Sequence, residues 1–489
     1  MSASQGTPGL LHNSALRARL SEIDVEIVVL DAQLARLRAE AKIVTDALSF
    51  IVYPILTLPV EITSEIFMQY LDGLFEGQFG PPRVELRTAR TSGPLVLSQV
   101  CRAWRSIAIN TPLLWCRVFA DSFYDNCPDW RRLLECWLPR AGNHPLYLGL
   151  ADDHHFTALH FPTIAPYSSQ WRAFECCIST PVTFPIDTIR GRLPLLRELT
   201  ITWREWDSVD TEFSTVDAFS VAPELRKVVL RNLPPKWIPL PLAQLTHITL
   251  YGQTIADAIE VLHQCPNLEE LSIELDGAED EVPLAPVIHT RIHKLSLWNE
   301  CSATPEILPY ITLPNLHSLE LRGFTRLSPT IAVCSWCAVD SISLHYCYID
   351  LVDFALGAVW QVSQVTFDRI SCTPSRLGEI LGRMTSDSRF LPNMTSLHLL
   401  DCGTVVPYVE VADMLDARRH NPEGVSRLES FHFIQGRRYI DEEPNAAIEG
   451  KLRGLMDEGL DIRIQGRDRR FEYSGVIRGV NSRLRPLLQ

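Results

Sequence analysis

Apolar residues near the start of the chain fall at Leu16, Leu20, Ile23, Ile27, Leu30, Leu34, Leu37, Ala41, Val44 and Leu48, in alternating steps of four and three. Such spacing predicts one long helix with a heptad seam. Ser14 is the expected N-cap and Pro54 the expected stop, since proline has no backbone N–H to continue the ladder. Val25, Val28 and Val29 widen the apolar stripe, and Glu26 would face Asp31 across a parallel homodimer. Because those flanking positions match poorly, the favoured expectation is that the helix packs on the next segment of its own chain, with self-association through Leu16 to Leu48 as the alternative.

From about Pro145 the period changes. The phrase apolar-x-x-apolar-x-apolar recurs as Trp171/Phe174/Cys176, Leu196/Leu199/Ile201, Leu225/Val228/Leu230, Leu245/Ile248/Leu250, Leu268/Leu271/Ile273 and Ile292/Leu295/Leu297. It continues as Leu316/Leu319/Leu321, Val339/Ile342/Leu344, Val362/Val365/Phe367, Met394/Leu397/Leu399 and Leu428/Phe431/Phe433. From Leu245 to Val362 the copies are 23, 24, 24, 23 and 23 residues apart. Each phrase predicts a short strand, and the period lies within the roughly 20–29 residues of leucine-rich repeats. Prolines 194, 223, 266, 314 and 392 stand two residues before their strands, where a strand-initial proline loses no interior ladder bond.

Helix-compatible stretches at Thr254–His263, Asp350–Val359, Ser375–Met384 and Tyr408–His420 supply the returns that a parallel-stranded solenoid needs. Cys347 and Cys402 take the place three residues after the last strand position, where such repeats often carry Asn or Cys. Leu460, Ile462 and Ile464, after a helix over Ile448–Glu458, form the expected cap.

Between helix and repeats lies a compact helical block. It opens on Leu58-Pro59-Val60-Glu61-Ile62, continues through Ile66 and Phe67, resumes with Val100-Cys101-Arg102-Ala103-Trp104-Arg105, and ends at Leu114-Trp115. Glycines and prolines between Leu71 and Pro94 mark a loop between two helices. Proline after Leu58 suits a first helical turn, and Leu97, Val100, Trp104 and Ile107 follow one face of a second helix.

This combination resembles the F-box-like modules of large fungal families, in which a heptad helix runs into an LPxEI phrase. The likeness covers Leu16 to Trp115, apart from the longer loop at 71–94. It implies docking on a Skp-family adaptor, and through it on a cullin-RING scaffold, by Leu58, Pro59, Ile62, Ile66, Phe67, Leu97, Val100, Trp104 and Trp115. The expected architecture is α/β: an N-terminal helix over 1–50, an all-α F-box-like module over 51–120, a leucine-rich-repeat-like solenoid over 121–466 and an Arg-rich tail over 467–489. The expected function is that of a non-catalytic substrate receptor whose concave strand face holds a target protein. A self-associating scaffold without a ligase role is the alternative.

Charge and chemistry narrow the picture further. A net charge of −14, with 59 acidic against 45 basic residues, argues against coating nucleic acid. Residues 1–9 lack the basic and apolar regions of a secretory signal, and the longest apolar run is broken by Pro54 and Pro59, so a cytoplasmic or nuclear protein with no membrane span is expected. The 13 cysteines, scattered in apolar segments, read as free thiols.

No nucleotide-loop, zinc-protease or nucleophile-elbow motif occurs, and neither catalytic residues nor cofactors nor metals are expected. Cys334/Cys337 has no second pair to complete a metal site. Asp152–His155 and the acidic run Asp276–Glu281 read as polar loops, and His289 and His293 as solvated surface residues.

Overall fold

The computed structural model describes residues 8–49, 54–75, 93–121, 130–151, 154–178, 185–203, 215–275, 286–298, 307–324, 338–347, 361–370, 373–402, 406–420, 424–434, 444–465 and 470–471. The loop over 76–92, the Cys334/Cys337 pair, the acidic run, the helix expected at Asp350–Val359 and nearly all of the Arg-rich tail lie outside them.

The first helix, α1, spans Pro8–Ser49 and so begins before Ser14. Among the described residues nothing buries its seam: Leu16, Leu20, Ile23, Ile27, Leu30, Leu34, Leu37 and Val44 are all exposed, as are Val25, Val28 and Val29. The expectation of packing on the following module is therefore corrected.

The helical block consists of a short turn at Pro54–Thr57, then α2 (Val60–Phe75), α3 (Pro94–Val100), α4 (Arg102–Ile109) and a 3-10 turn at Pro112–Trp115. Pro59 sits just outside α2, where its carbonyl accepts the first helical bond from Thr63 N at 3.0 Å. The expected single second helix is broken in two. Cys101 is extended, at φ −154°, and its sulfur caps the new helix by accepting from Trp104 N.

A 15-stranded sheet follows, in the order β1 (Arg117–Asp121), β2 (Leu146–Ala151), β3 (Trp171–Ile178), β4 (Glu198–Trp203), β5 (Lys227–Arg231), β6 (His247–Gln253), β7 (Glu270–Leu275), β9 (Lys294–Trp298), β11 (Ser318–Arg322), β12 (Ser341–His345), β13 (Gln364–Asp368), β14 (Ser396–Leu400), β15 (Ser430–Ile434), β16 (Asp461–Gln465) and β17 (Arg470–Phe471). A separate parallel pair joins β8 (Val287–Ile288) to β10 (Ile311–Thr312). Every pairing in the large sheet is parallel except β16 with β17.

The register joins the recurring phrases position for position. Leu199 pairs with Val228, Val228 with Ile248, Ile248 with Leu271, Leu271 with Leu295 and Leu295 with Leu319, and so on through Ile342, Val365, Leu397, Phe431 and Ile462. These residues are buried, forming a continuous core whose layers each strand alone could not bury.

The prolines before the strands have a different task from the one expected. Leu196 N bonds to Leu193 O, Leu225 N to Ala222 O, Leu268 N to Cys265 O, Leu316 N to Leu313 O and Met394 N to Leu391 O. Each proline therefore stands at the second position of a β-turn, where its fixed φ is favoured. Helices α7 (Ile255–Gln264), α8 (Pro374–Ser386), α9 (Tyr408–His420) and α10 (Ala446–Asp457) are returns between strands, after α5 (Trp130–Trp137) and α6 (His154–Ile164) near the start. Thr254, Thr373 and Asn445 cap α7, α8 and α10 through their side-chain oxygens.

Cys347 and Cys402 are buried, with sulfurs near strand carbonyls. The eight described cysteines are present as thiols. His289 is corrected from a solvated residue to a buried one, with Nε2 at 2.9 Å from Cys265 O and Nδ1 accepting from Arg291 N.

Candidate interaction surfaces

In α2 two stripes run in steps of four. Thr63, Phe67 and Leu71 are buried, whereas Leu58, Ile62, Ile66 and Tyr70 are exposed. The buried stripe meets α4 where Phe67 packs edge-on against Trp104, with ring centroids 4.9 Å apart. Ser64 and Thr111 hydroxyls, 3.2 Å apart, tie α2 to the 3-10 turn. The exposed stripe, extended by Ile55, Leu56 and Val60, leaves an apolar surface of the kind that marks an interaction site.

The residues expected to meet an adaptor thus divide. Leu58, Pro59, Ile62, Ile66 and Val100 are exposed and available, Val100 at 58%. Phe67, Leu97 and Trp115 are corrected to core residues, at 1%, 6% and 0% exposure, because they join the helices of the block to each other. Trp104 is half-buried beside Phe67. Trp115 goes further: its indole donates to Ala108 O at 2.7 Å, its carbonyl accepts from the Trp137 indole at 2.8 Å, and Trp137 lies edge-on at 4.9 Å. The block and the first repeat share this side chain.

The second surface is the open face of the sheet. Strand residues that alternate with the core positions include Thr200, Val229, Thr249, Ser272, Ser296, Ser343 and Thr366, in register across the strands. They make a floor of mostly small, hydroxyl-bearing side chains, interrupted between Ser296 and Ser343 by Glu320, which accepts from the Ser296 hydroxyl at 3.0 Å, and followed after Thr366 by His398 and His432. Its N-terminal part is a groove of about 280 Å³ walled by Phe119, Tyr147, Glu175, Lys227, Arg231 and Tyr251.

Along the C-terminal ends of the strands runs a ladder of arginines and rings. The Arg231 guanidinium lies 3.9 Å from the Tyr251 ring centre, Tyr251 meets Trp298 edge-on at 4.9 Å, and Arg322 lies 4.9 Å from Trp298 and 5.6 Å from Tyr346. Arg369 follows at 5.2 Å from Tyr346, bonding its hydroxyl and pairing with Asp401 at 3.2 Å.

Tyr346 and Arg369 both have left-handed backbones, with φ of 52° and 51°. For side chains of this size that conformation is strained, and it turns both residues out of the strand line. Beside the ladder His345 bridges Asp368 at 3.0 Å and Glu320 at 3.6 Å. Among the described residues no group of three or more potential metal ligands comes together, and no helix is long and apolar enough to cross a membrane.

The fold and these surfaces define a mixed α/β protein: a long helix and a helical block leading into a parallel-stranded repeat solenoid. No family model matches the chain, and no curated sequence matches it. Among solved structures it is similar to a leucine-rich-repeat protein of Leptospira interrogans, at 11% identity and a TM-score of 0.22, over 73% of this chain and 97% of that one. The repeat architecture is read from the register of the strands themselves.

Proposed function

We propose that the chain is the substrate-recognition subunit of an SCF-type cullin-RING ubiquitin ligase, with the helical block on a Skp-family adaptor and the open sheet face on a target protein. The observation that carries this reading is the uncovered stripe Leu58, Ile62, Ile66 beside Pro59, on a block whose other stripe is already committed to its own core. The LPxEI phrase supplies these residues, and the sequence resemblance supplies the partner. Such a subunit makes and breaks no bonds. It acts by proximity, holding the target beside a charged ubiquitin carrier so that transfer becomes effectively unimolecular.

Target contact is assigned to the ladder of Arg231, Tyr251, Trp298, Arg322 and Tyr346, since Trp, Tyr and Arg in partly desolvated settings dominate the energetics of protein interfaces. The experiment is capture of a purified Skp-family adaptor by wild-type chain and by Ile62→Asp/Ile66→Asp. Both side chains are exposed, so the variant is expected to keep the wild-type thermal transition and lose adaptor capture at least tenfold. Equal recovery by the two proteins, or none by either, removes the reading.

A further inference from the structure

We infer that two copies of this chain associate through α1, forming a two-stranded coiled coil along the Leu16–Leu48 seam. The inference stands apart from the receptor reading, because it concerns a surface that the helical block does not use.

The first ground is exposure over length. Ile23, Ile27, Leu30, Leu34 and Leu37 are 38%, 49%, 56%, 44% and 62% exposed in a helix of 42 residues. The described part of the chain covers none of this seam. An isolated helix of this kind gains most of its stability from packing an apolar face, so water is a poor partner for it.

The second ground is period. Steps of four and three average 3.5 residues, whereas a straight helix turns every 3.6, and a seam that holds the shorter period stays in contact only with a supercoiling helix. With Leu16 at d, the d positions are Leu16, Ile23, Leu30, Leu37 and Val44, and the a positions are Leu20, Ile27, Leu34, Ala41 and Leu48.

The third ground is who can match it. Among the described residues the next longest helix is α2, with 16 residues, and its exposed stripe steps by fours rather than by heptads. The partner of equal length and period is another α1. Half-exposed side chains along about nine helical turns of seam amount to about 800 Å² on each copy, the size of a standard stable interface.

At the rim of a parallel pair Arg19 meets Asp24 of the second copy, while Glu26 meets Asp31. The first contact attracts and the second repels. Both are solvated, where salt screens them over about 8 Å, so they adjust the affinity and leave the seam to decide it. Val25, Val28 and Val29 lie on the outer face of such a pair. Association gives one assembly two open sheet faces, so a target that carries two copies of its recognised segment is held by avidity.

The test is the solution mass of the full chain, by light scattering or sedimentation at micromolar concentration and without adaptor. Wild type is expected at the mass of two chains. Ile27→Asp/Leu34→Asp is expected at the mass of one, and Leu34→Lys alone is expected to weaken association at least tenfold. Val28→Asp, on the outer face, is expected to stay at two. Thermal transitions of the repeat array report folding of each variant, and should be unchanged because the substituted side chains lie outside the core that holds the array together. A single-chain mass for wild type, a three-chain mass, or a two-chain mass that survives the seam substitutions in a folded protein overturns the inference.

Discussion

His398 and His432 stack on neighbouring strands, ring centroids 4.5 Å apart and planes nearly parallel, and His432 reaches Asp461 at 3.1 Å. Burial, with His432 alongside, pushes the His398 imidazole down to about 4. The unfolded chain carries an ordinary imidazole near 6.5, so between about 6.5 and 4 it binds the proton more readily than the folded chain does. Stability is therefore lost as pH falls through that window, and is indifferent to this group above it. Thermal melts at pH 7 and pH 4.5 are expected to show a smaller drop for His398→Gln than for wild type. Phe119 and Gly149 show a different limit at the same scale. The Phe119 ring occupies the space that a Cβ on Gly149 would need, 2.1 Å away, so only glycine lets β1 and β2 close at this point.

Among the elements, α9 is anchored from within. Arg418 is buried at 3% exposure and donates to Met384 O at 2.8 Å, Phe390 O at 2.6 Å and Leu391 O at 2.9 Å, so one side chain satisfies the end of α8 and the turn after it. Arg418→Met keeps the bulk but removes three buried hydrogen bonds, and is expected to cost about 3 kcal/mol by urea denaturation.

The repeats themselves were legible because their residues obey a period: the first position of every phrase, from Trp171 to Leu460, is buried. Strands β1 and β2 were missed. In their frames Trp115/Val118/Ala120 and Pro145/Leu148/Leu150 begin on a residue already read as helical or as a breaker, and the two copies stand 30 residues apart. In α2 Ile66 and Phe67 are neighbours in an apolar phrase, and only the position of α4 decides that Phe67 goes inward while Ile66 faces out. The arginine and aromatic ladder was invisible for a related reason. Arg231, Tyr251, Trp298 and Arg322 each follow the last apolar strand position of a different repeat, so they form a pattern only once the register is known.

For the molecule as a whole, Trp115 is the joint. It is fully buried, bonds both the block and Trp137, and carries the Arg140 guanidinium 4.4 Å from its ring centre. Trp115→Ala is expected to destabilise the chain by about 3–5 kcal/mol. Because the block and the first repeat share this side chain, limited proteolysis of the variant is expected to release the N-terminal portion before the later repeats are cut. The far end of the sheet is finished in another way. A stack of parallel strands has no built-in last member, and its open edge is a template on which a neighbouring molecule can grow a filament. At Arg470–Phe471 the chain reverses and lays two antiparallel residues against Ile464 and Gln465. That short reversed strand covers the last two positions of β16, so an approaching molecule meets a shorter free edge there than a bare final strand would offer.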